Sequence, residues 1–217
     1  MKSMRPLLPW LCLASMLALT ACSSLLGGGS RDPVTIYSPN VHVTPDAAWP
    51  HVTWQLTIVK PTASRLVDSP RINVRPVPGE LQVYQGATWA QPATDIIEGT
   101  LLRAFEDSGR IEGVGRSSDG IRADYRLVTD LRRFESDYAG QALPSATIEI
   151  NAKVLHSNDQ RVVASRTFLV ARPASATDVA TVAATFEQAL QQVAGEIVGW
   201  TLATGQRDTA QLGLPPR

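Results

Sequence analysis

The sequence is poor in the residues that carry metal and nucleophile chemistry. Its 217 residues include two cysteines, Cys12 and Cys22, and three histidines, His42, His51 and His156. No histidine stands four positions from a second histidine or a carboxylate on a predicted helix, which is the spacing of helical metal sites. We therefore expect the histidines in loops or turns and predict no metal site.

Motifs of common catalytic and nucleotide sites are also missing. There is no Gly-x-Ser-x-Gly segment, in which a hydrolase presents a nucleophilic serine. The run Gly27 to Gly29 is not followed by the Gly-Lys-Ser or Gly-Lys-Thr of a phosphate loop, and Gly113 and Gly115 lack the third glycine of a dinucleotide loop. These absences predict a protein that is not an enzyme and that holds no cofactor.

The charge of the chain shows no excess of either sign. Lys+Arg and Asp+Glu each number 20, and removing residues 1–21 takes away two basic residues and no acidic ones, which leaves a net charge of −2. Such a chain has no general electrostatic attraction to nucleic acid or to anionic lipid headgroups. We predict no nucleic-acid partner.

The N-terminal apolar run is too short to cross a membrane. It covers 13 residues, Leu7 to Leu19, after the basic Lys2 and Arg5, whereas a spanning helix needs about 20 apolar residues. It ends in Leu19-Thr20-Ala21-Cys22, with small residues before a cysteine. This pattern predicts a lipoprotein export signal at residues 1–21.

Cys22 is the predicted lipidation site and the membrane anchor. Because Cys12 leaves with the signal, the mature chain of 196 residues has no free thiol in this interpretation. Residues 22–33 are small and Gly-rich, which predicts a lipidated flexible tether. Two alternatives stay open: a buried N-terminal helix of a cytosolic protein, which Pro6 and Pro9 disfavour, and secretion with Cys22 free, which exposes a lone thiol to oxidation.

Hydrophobic patterning beyond the tether predicts one α+β domain over residues 34–205. Alternation predicts strands near 52–59, 71–75 and 81–84, a Gly- and Ser-rich turn at 113–120, a long strand over 121–132, and two further strands that complete an antiparallel meander. Apolar stripes predict helices from Pro92 to Gly109 and from about Ala176 to Leu202. We expect a mixed or mainly antiparallel sheet with both helices on one face, and a disordered tail over 206–217.

Charged residues on one side of the long strand are the first candidates for a docking surface. Arg122, Asp124, Arg126, Asp130 and Arg132 lie on that side. Arginine is enriched at protein interfaces, so the three arginines are candidate partner-docking residues. A solvated sheet face with cross-strand ion pairs is an equal alternative.

Tryptophan supplies the last candidate. Trp89 stands just before the first helix, either as a core residue that packs on the helix or as an exposed partner contact. Trp54 and Trp200 fall on predicted core stripes.

Short segments occur in a definite order after Cys22. They are Leu66 to Ile72 (LVDSPRI), Leu81 to Tyr84 (LQVY), Ala87 to Pro92 (ATWAQP), Leu102 to Gly109 (LRAFEDSG), Ala123 to Leu127 (ADYRL), Phe134-Glu135, Phe186, Ala189-Leu190 and Trp200. In this order and spacing the sequence resembles the ABC-type transport auxiliary lipoproteins, the paraquat-inducible protein C-like lipoproteins that accompany mammalian-cell-entry (MCE) proteins. The pair Gln82-Val83 departs from the pattern, in which a second aromatic residue is expected beside Tyr84.

The resemblance implies a non-enzymatic adaptor in an MCE/ABC-type phospholipid transport system that links the inner and outer membranes. The implied partner is an MCE-family periplasmic protein, and the implied location is the outer membrane, lipid-anchored and facing the periplasm. Ser23 after Cys22 is consistent with this destination, because an aspartate there favours inner-membrane retention. A lipid-binding carrier lipoprotein and, with least support, an envelope hydrolase stay open, as does self-association into a ring.

Replacing the anchoring cysteine tests the importance of attachment. Cys22→Ala removes the lipid-bearing thiol and no part of the predicted domain, so we expect an intact fold and a loss of activity in cells. The measurement is complementation of a deletion strain. Full complementation by a soluble periplasmic Cys22→Ala protein would show that the anchor is not central.

Overall fold

The computed structural model describes residues 33–212. The predicted export signal, the lipidation site Cys22 and the tether up to residue 32 lie outside the described residues. Within the described part, no helix is long and apolar enough to cross a membrane.

Nine strands, two α-helices and one short 3-10 helix (Ser117–Asp119) form the secondary structure of residues 33–212. The strands are β1 (Thr35–Tyr37), β2 (Val52–Ile58), β3 (Thr62–Ala63), β4 (Arg71–Arg75), β5 (Gln82–Trp89), β6 (Ile111–Arg116), β7 (Tyr125–Asp137), β8 (Ser145–His156) and β9 (Val162–Pro173). The helices are α1 (Ala93–Ser108) and α2 (Val179–Gln211). All strands belong to one mixed sheet, which confirms the predicted α+β class.

Strand β7 is the centre of the sheet. One of its edges pairs along its length with β8 in antiparallel orientation, and β8 pairs with β9 in the same way, so the predicted meander is confirmed. The other edge of β7 pairs in parallel with β2, then β3, then β4. Beyond β2, the sheet continues with β6. Beyond β4, it continues with β5 and then β1.

One face of the sheet carries the core. Along β8, Ile148, Ile150, Ala152 and Val154 are buried, and the residues between them are more exposed or polar. Side chains of α1, α2 and Ile150 of β8 line one small gap, so both helices cover this same face.

Trp89 belongs to the core. Its side chain is 2% exposed, and its ring lies edge-on to Phe134 of β7 at 5.7 Å and to Phe186 of α2 at 5.3 Å between centroids. Edge-to-face aromatic contacts of this kind stabilise a core beyond the area they bury. Trp89 therefore joins the sheet to α2. Its burial excludes the alternative in which it is an exposed partner contact.

The segment predicted as a turn at 113–120 is wrong in its first part. Residues 111–116 form β6, which pairs in parallel with β2. Gly113 suits this position because an added Cβ would lie 3.0 Å from the Gln55 side chain on the neighbouring strand. Gly113 is thus placed for close packing against β2, whereas Gly120, at the end of the predicted segment, has the positive φ of a turn.

The prediction of a disordered tail from residue 206 is also wrong for residues 206–211, which belong to α2. Asp208 is buried, and its carboxylate accepts hydrogen bonds from Tyr125 Oη at 3.0 Å and from Arg161 Nη2 at 3.0 and 3.1 Å. These bonds attach the last turns of α2 to the start of β7 and to the β8–β9 connection. In these last turns the residues that face the core are small or polar. No apolar stripe in the sequence therefore indicates that the helix continues.

A pair of helix glycines tests the packing of α2. In Gly205→Ala the new Cβ would lie 2.5 Å from Trp54 Cζ2, and we expect a loss of about 1–3 kcal/mol in the free energy of unfolding. Gly99 of α1 is the control, because an added Cβ there meets nothing within 4 Å, so Gly99→Ala should gain about 0.5–1 kcal/mol. Urea unfolding midpoints measure both; equal shifts of the same sign would contradict this packing.

The buried tyrosine at the α2 end predicts a pH dependence. Burial raises the pKa of Tyr125 from 10.0 to about 12, so the folded state favours the neutral phenol. The contribution of the neutral Tyr125 phenol to the free energy of unfolding is complete below pH 10 and is lost as the pH rises from 10 to 12. The loss is at most about 3 kcal/mol.

Tyr125→Phe lacks this titration, and the remaining tyrosines are common to both proteins. The free energy of unfolding should therefore show a wild-type advantage at about pH 8 that shrinks towards about pH 11.5. An advantage that stays constant over this range would contradict the assignment.

Candidate functional site

The structure brings two of the candidate docking residues together. Arg122 lies in the segment before β7, and Arg126 lies on β7 on the face away from the helices. Both line one open depression of about 400 Å³ together with Thr57, Ser117, Ile121, Ala123, Ser157 and Asn158. Its two charged lining residues are both arginines, which gives it a positive character.

Local contacts hold one of these arginines in place. Arg126 Nη1 donates to Gln160 Oε1 at 3.1 Å, and Gln160 Nε2 donates to the Ser157 carbonyl oxygen at 2.6 Å. The β8–β9 connection thus orients the Arg126 guanidinium, while Arg122 is exposed. The depression, defined by Arg122 and Arg126, is hereafter the arginine depression.

Arg132 is separate from this depression. It lies six residues along β7 from Arg126, about 20 Å at the rise of a strand, and at a bulge in the β7–β8 register. It forms ion pairs with Asp130 at 3.4 Å and with Glu149 at 3.5 Å. These exposed pairs match the alternative of a solvated sheet face and contribute little stability.

A buried charge cluster lies on the same face, between β4 and β7. Glu135 is 1% exposed, and its carboxylate accepts from Arg75 Nε at 2.8 Å, from Arg75 Nη2 at 2.9 Å and from Arg133 Nε at 2.8 Å. Arg133 also bonds to Asp137. The hydrogen bond with Glu135 raises the pKa of Arg75.

The charges of this cluster balance, and both arginines bind the Glu135 carboxylate, so the cluster joins β4 to β7. Phe134-Glu135 is visible in the sequence, but the partner arginine is 60 residues away. Finding it requires the β4–β7 register, for which the sequence gives no signal.

His51 and His156 lie in different parts of the structure, and each contacts its own charged neighbour. His51 lies in a loop against Arg110, and His156 ends β8 with Nδ1 2.9 Å from Asp159 Oδ1. Over residues 33–212, no group of three or more histidine, cysteine or acidic side chains is close enough to hold a metal ion.

Known proteins share this chain's sequence and fold. A crystal structure of a Xanthomonas campestris protein is 68% identical, with a TM-score of 0.80, over 82% of this chain and 99% of that one. The crystal structure of an uncharacterized protein is 12% identical, with a TM-score of 0.60, over 76% of this chain and 97% of that one, and shows the fold alone.

An uncharacterized protein of Bradyrhizobium diazoefficiens is 27% identical over 184 residues, which are 85% of this chain and 49% of that protein. The chain thus spans about half the length of this curated relative. The model of the family described as the ABC-type transport auxiliary lipoprotein component matches residues 35–198. That match covers most of the chain and confirms the resemblance seen in the sequence: the chain belongs to the ABC-type transport auxiliary lipoprotein family.

Proposed function

We propose that this chain is the lipid-anchored adaptor of an ABC-dependent phospholipid transport system, held at the outer membrane and facing the periplasm, with an MCE-family protein as its partner. The observation that carries the proposal is the family match over residues 35–198. The lipoprotein description of that family agrees with the Leu19-Thr20-Ala21-Cys22 motif.

A role in binding rather than catalysis is supported by how the buried charges are used. Glu135 is held by Arg75 and Arg133, and Asp208 by Tyr125 and Arg161. A buried carboxylate in such bonds has its acceptor sites occupied, so it is a poor general base. We therefore assign these groups to the stability of the fold and propose that the protein is not an enzyme.

At the gap between the helices and the sheet there is no room for the acyl chain that the carrier alternative requires. The gap bounded by Ile97 and Leu101 of α1, Ile150 of β8 and Leu190 of α2 has no space for a water molecule. A lipid chain there would have to separate the helices from the sheet, at the cost of the packing that forms the core.

We assign the arginine depression to partner docking. Its guanidinium groups would meet carboxylates on the MCE protein, since arginine binds carboxylates with paired hydrogen bonds. The depression faces away from α1 and α2, so docking there leaves the core undisturbed. Asn158 is exposed and lines it, which makes it a suitable place for a photo-crosslinking amino acid.

Crosslinking in cells tests this assignment. A crosslinker at residue 158 should capture an MCE-family protein, and Arg122→Glu with Arg126→Glu should reduce the yield at least about tenfold, because each reversal replaces an attraction by a repulsion. Arg103→Glu is the control, as Arg103 is exposed on α1, on the other face of the sheet.

Recovery of no MCE protein from any exposed crosslinking position would contradict the proposed partner. An unchanged yield in the double variant would contradict the docking surface alone.

A further inference from the structure

A second depression lies on the outer side of α2, and the function proposed above does not use it. Gly195, Gly199, Ala203 and Arg207 recur every four residues, so they lie on one side of the helix over about 18 Å. Together with Ala48, Trp49, Pro50, Arg166, Glu196 and Trp200 they line a groove of about 400 Å³. We call it the α2 groove.

One wall of the α2 groove is the segment that precedes β2. This segment runs alongside α2. Asn40 N donates to Glu187 Oε1 at 3.0 Å, and Val43 packs against Gly195. Trp49 packs on Gly199, where an added Cβ would overlap its indole ring. The glycine thus allows the Trp49 ring to rest on the helix backbone and form a flat apolar wall.

The opposite wall is the edge of β9. Arg166 places its guanidinium carbon 4.7 Å from the centre of the Phe168 ring, and that ring lies edge-on to Trp200 at 5.6 Å. Phe168 is buried and therefore fixes both neighbours. Stacking on Phe168 occupies the flat face of the guanidinium and leaves its N–H groups free to bind a ligand in its plane.

The arginines of the α2 groove have no carboxylate partner within residues 33–212. Arg166 and Arg207 take part in none of that region's ion pairs, and Arg207 has only a long bond, 3.4 Å, to the Thr204 hydroxyl. Glu196 lines the same groove and accepts from Gln192 at 3.0 Å. The groove thus combines two unneutralised arginines, one carboxylate and two indole rings.

We propose that the α2 groove binds a phospholipid headgroup, an inference that rests on the proposed lipid-transport function and gives it a ligand site. Arg166 and Arg207 hold the phosphate, because guanidinium groups bind phosphate oxygens in pairs. Trp49 and Trp200 contact the glycerol and the first methylenes, as indole rings do at the headgroup level of membranes.

The remaining features fit this ligand. Glu196 is placed to meet the ammonium of an amine-bearing headgroup, whereas a free anion gains nothing from a carboxylate nearby. Because the core has no room for a water molecule at the helix–sheet gap, the acyl chains stay outside the domain.

The test uses the full chain with Cys22→Ala, so that no anchor lipid competes. Short-chain phosphatidylethanolamine and phosphatidylglycerol, below their micelle concentrations, are titrated while tryptophan fluorescence is recorded. We expect saturable binding that Arg166→Gln with Arg207→Gln weakens at least about tenfold. Arg65→Gln with Arg103→Gln removes the same charge from two exposed positions elsewhere and should leave the affinity unchanged.

Three companion measurements keep the result specific. Arg166→Lys with Arg207→Lys restores the charge without the guanidinium fork and should recover part of the affinity, and urea midpoints should be equal for all variants. Inorganic phosphate should compete only weakly. Absence of saturable lipid binding, equal binding by the Gln variants, or equal affinity for inorganic phosphate would overturn the proposal.

The outcome is separable from that of the proposed function. If crosslinking at residue 158 still captures an MCE protein while the α2 groove binds no lipid, the groove assignment alone fails. If lipid binds as described and no MCE protein is captured, the partner fails and the groove stands.

Discussion

The hydrogen bonding of β7 is the constraint on which the fold depends. A strand of 13 residues serves on one edge as the partner of β8 and on the other as the partner of three successive strands, β2, β3 and β4. The chain between β2 and β4 must therefore run along β7 and return to it twice. This arrangement fixes where Trp89, Glu135 and Tyr125 lie, and through them where α2 ends.

The sequence predicted those elements whose signal is local. The alternation in β8 and the stripe of α1, closed by Gly109 in a left-handed conformation, are determined by neighbours a few residues apart. The antiparallel meander follows from short connections. These elements are present in the structure as predicted, because no distant contact is needed to form them.

The errors have one physical origin, since each concerns a residue whose role is set by a distant partner. Gly113 and Gly115 indicated a turn, but they lie in a strand beside β2. Residues 206–211 indicated a tail, but Asp208 is bonded to a tyrosine 83 residues away. Of the candidate site, Arg122 and Arg126 line one depression, whereas Arg132 lies about 20 Å further along β7 and Trp89 is buried in the core. The α2 groove could not be predicted, because its walls come from three separate parts of the chain.

In the proposed function, two separate surfaces have different tasks: the open face of the sheet docks a protein, and the outer side of α2 holds a lipid headgroup. The most direct test of the central claim follows isotopically labelled phospholipid between the inner and outer membranes of cells with and without this chain. The account predicts slower exchange in its absence and recovery when the wild-type chain is returned. An exchange rate that does not depend on the chain would contradict it.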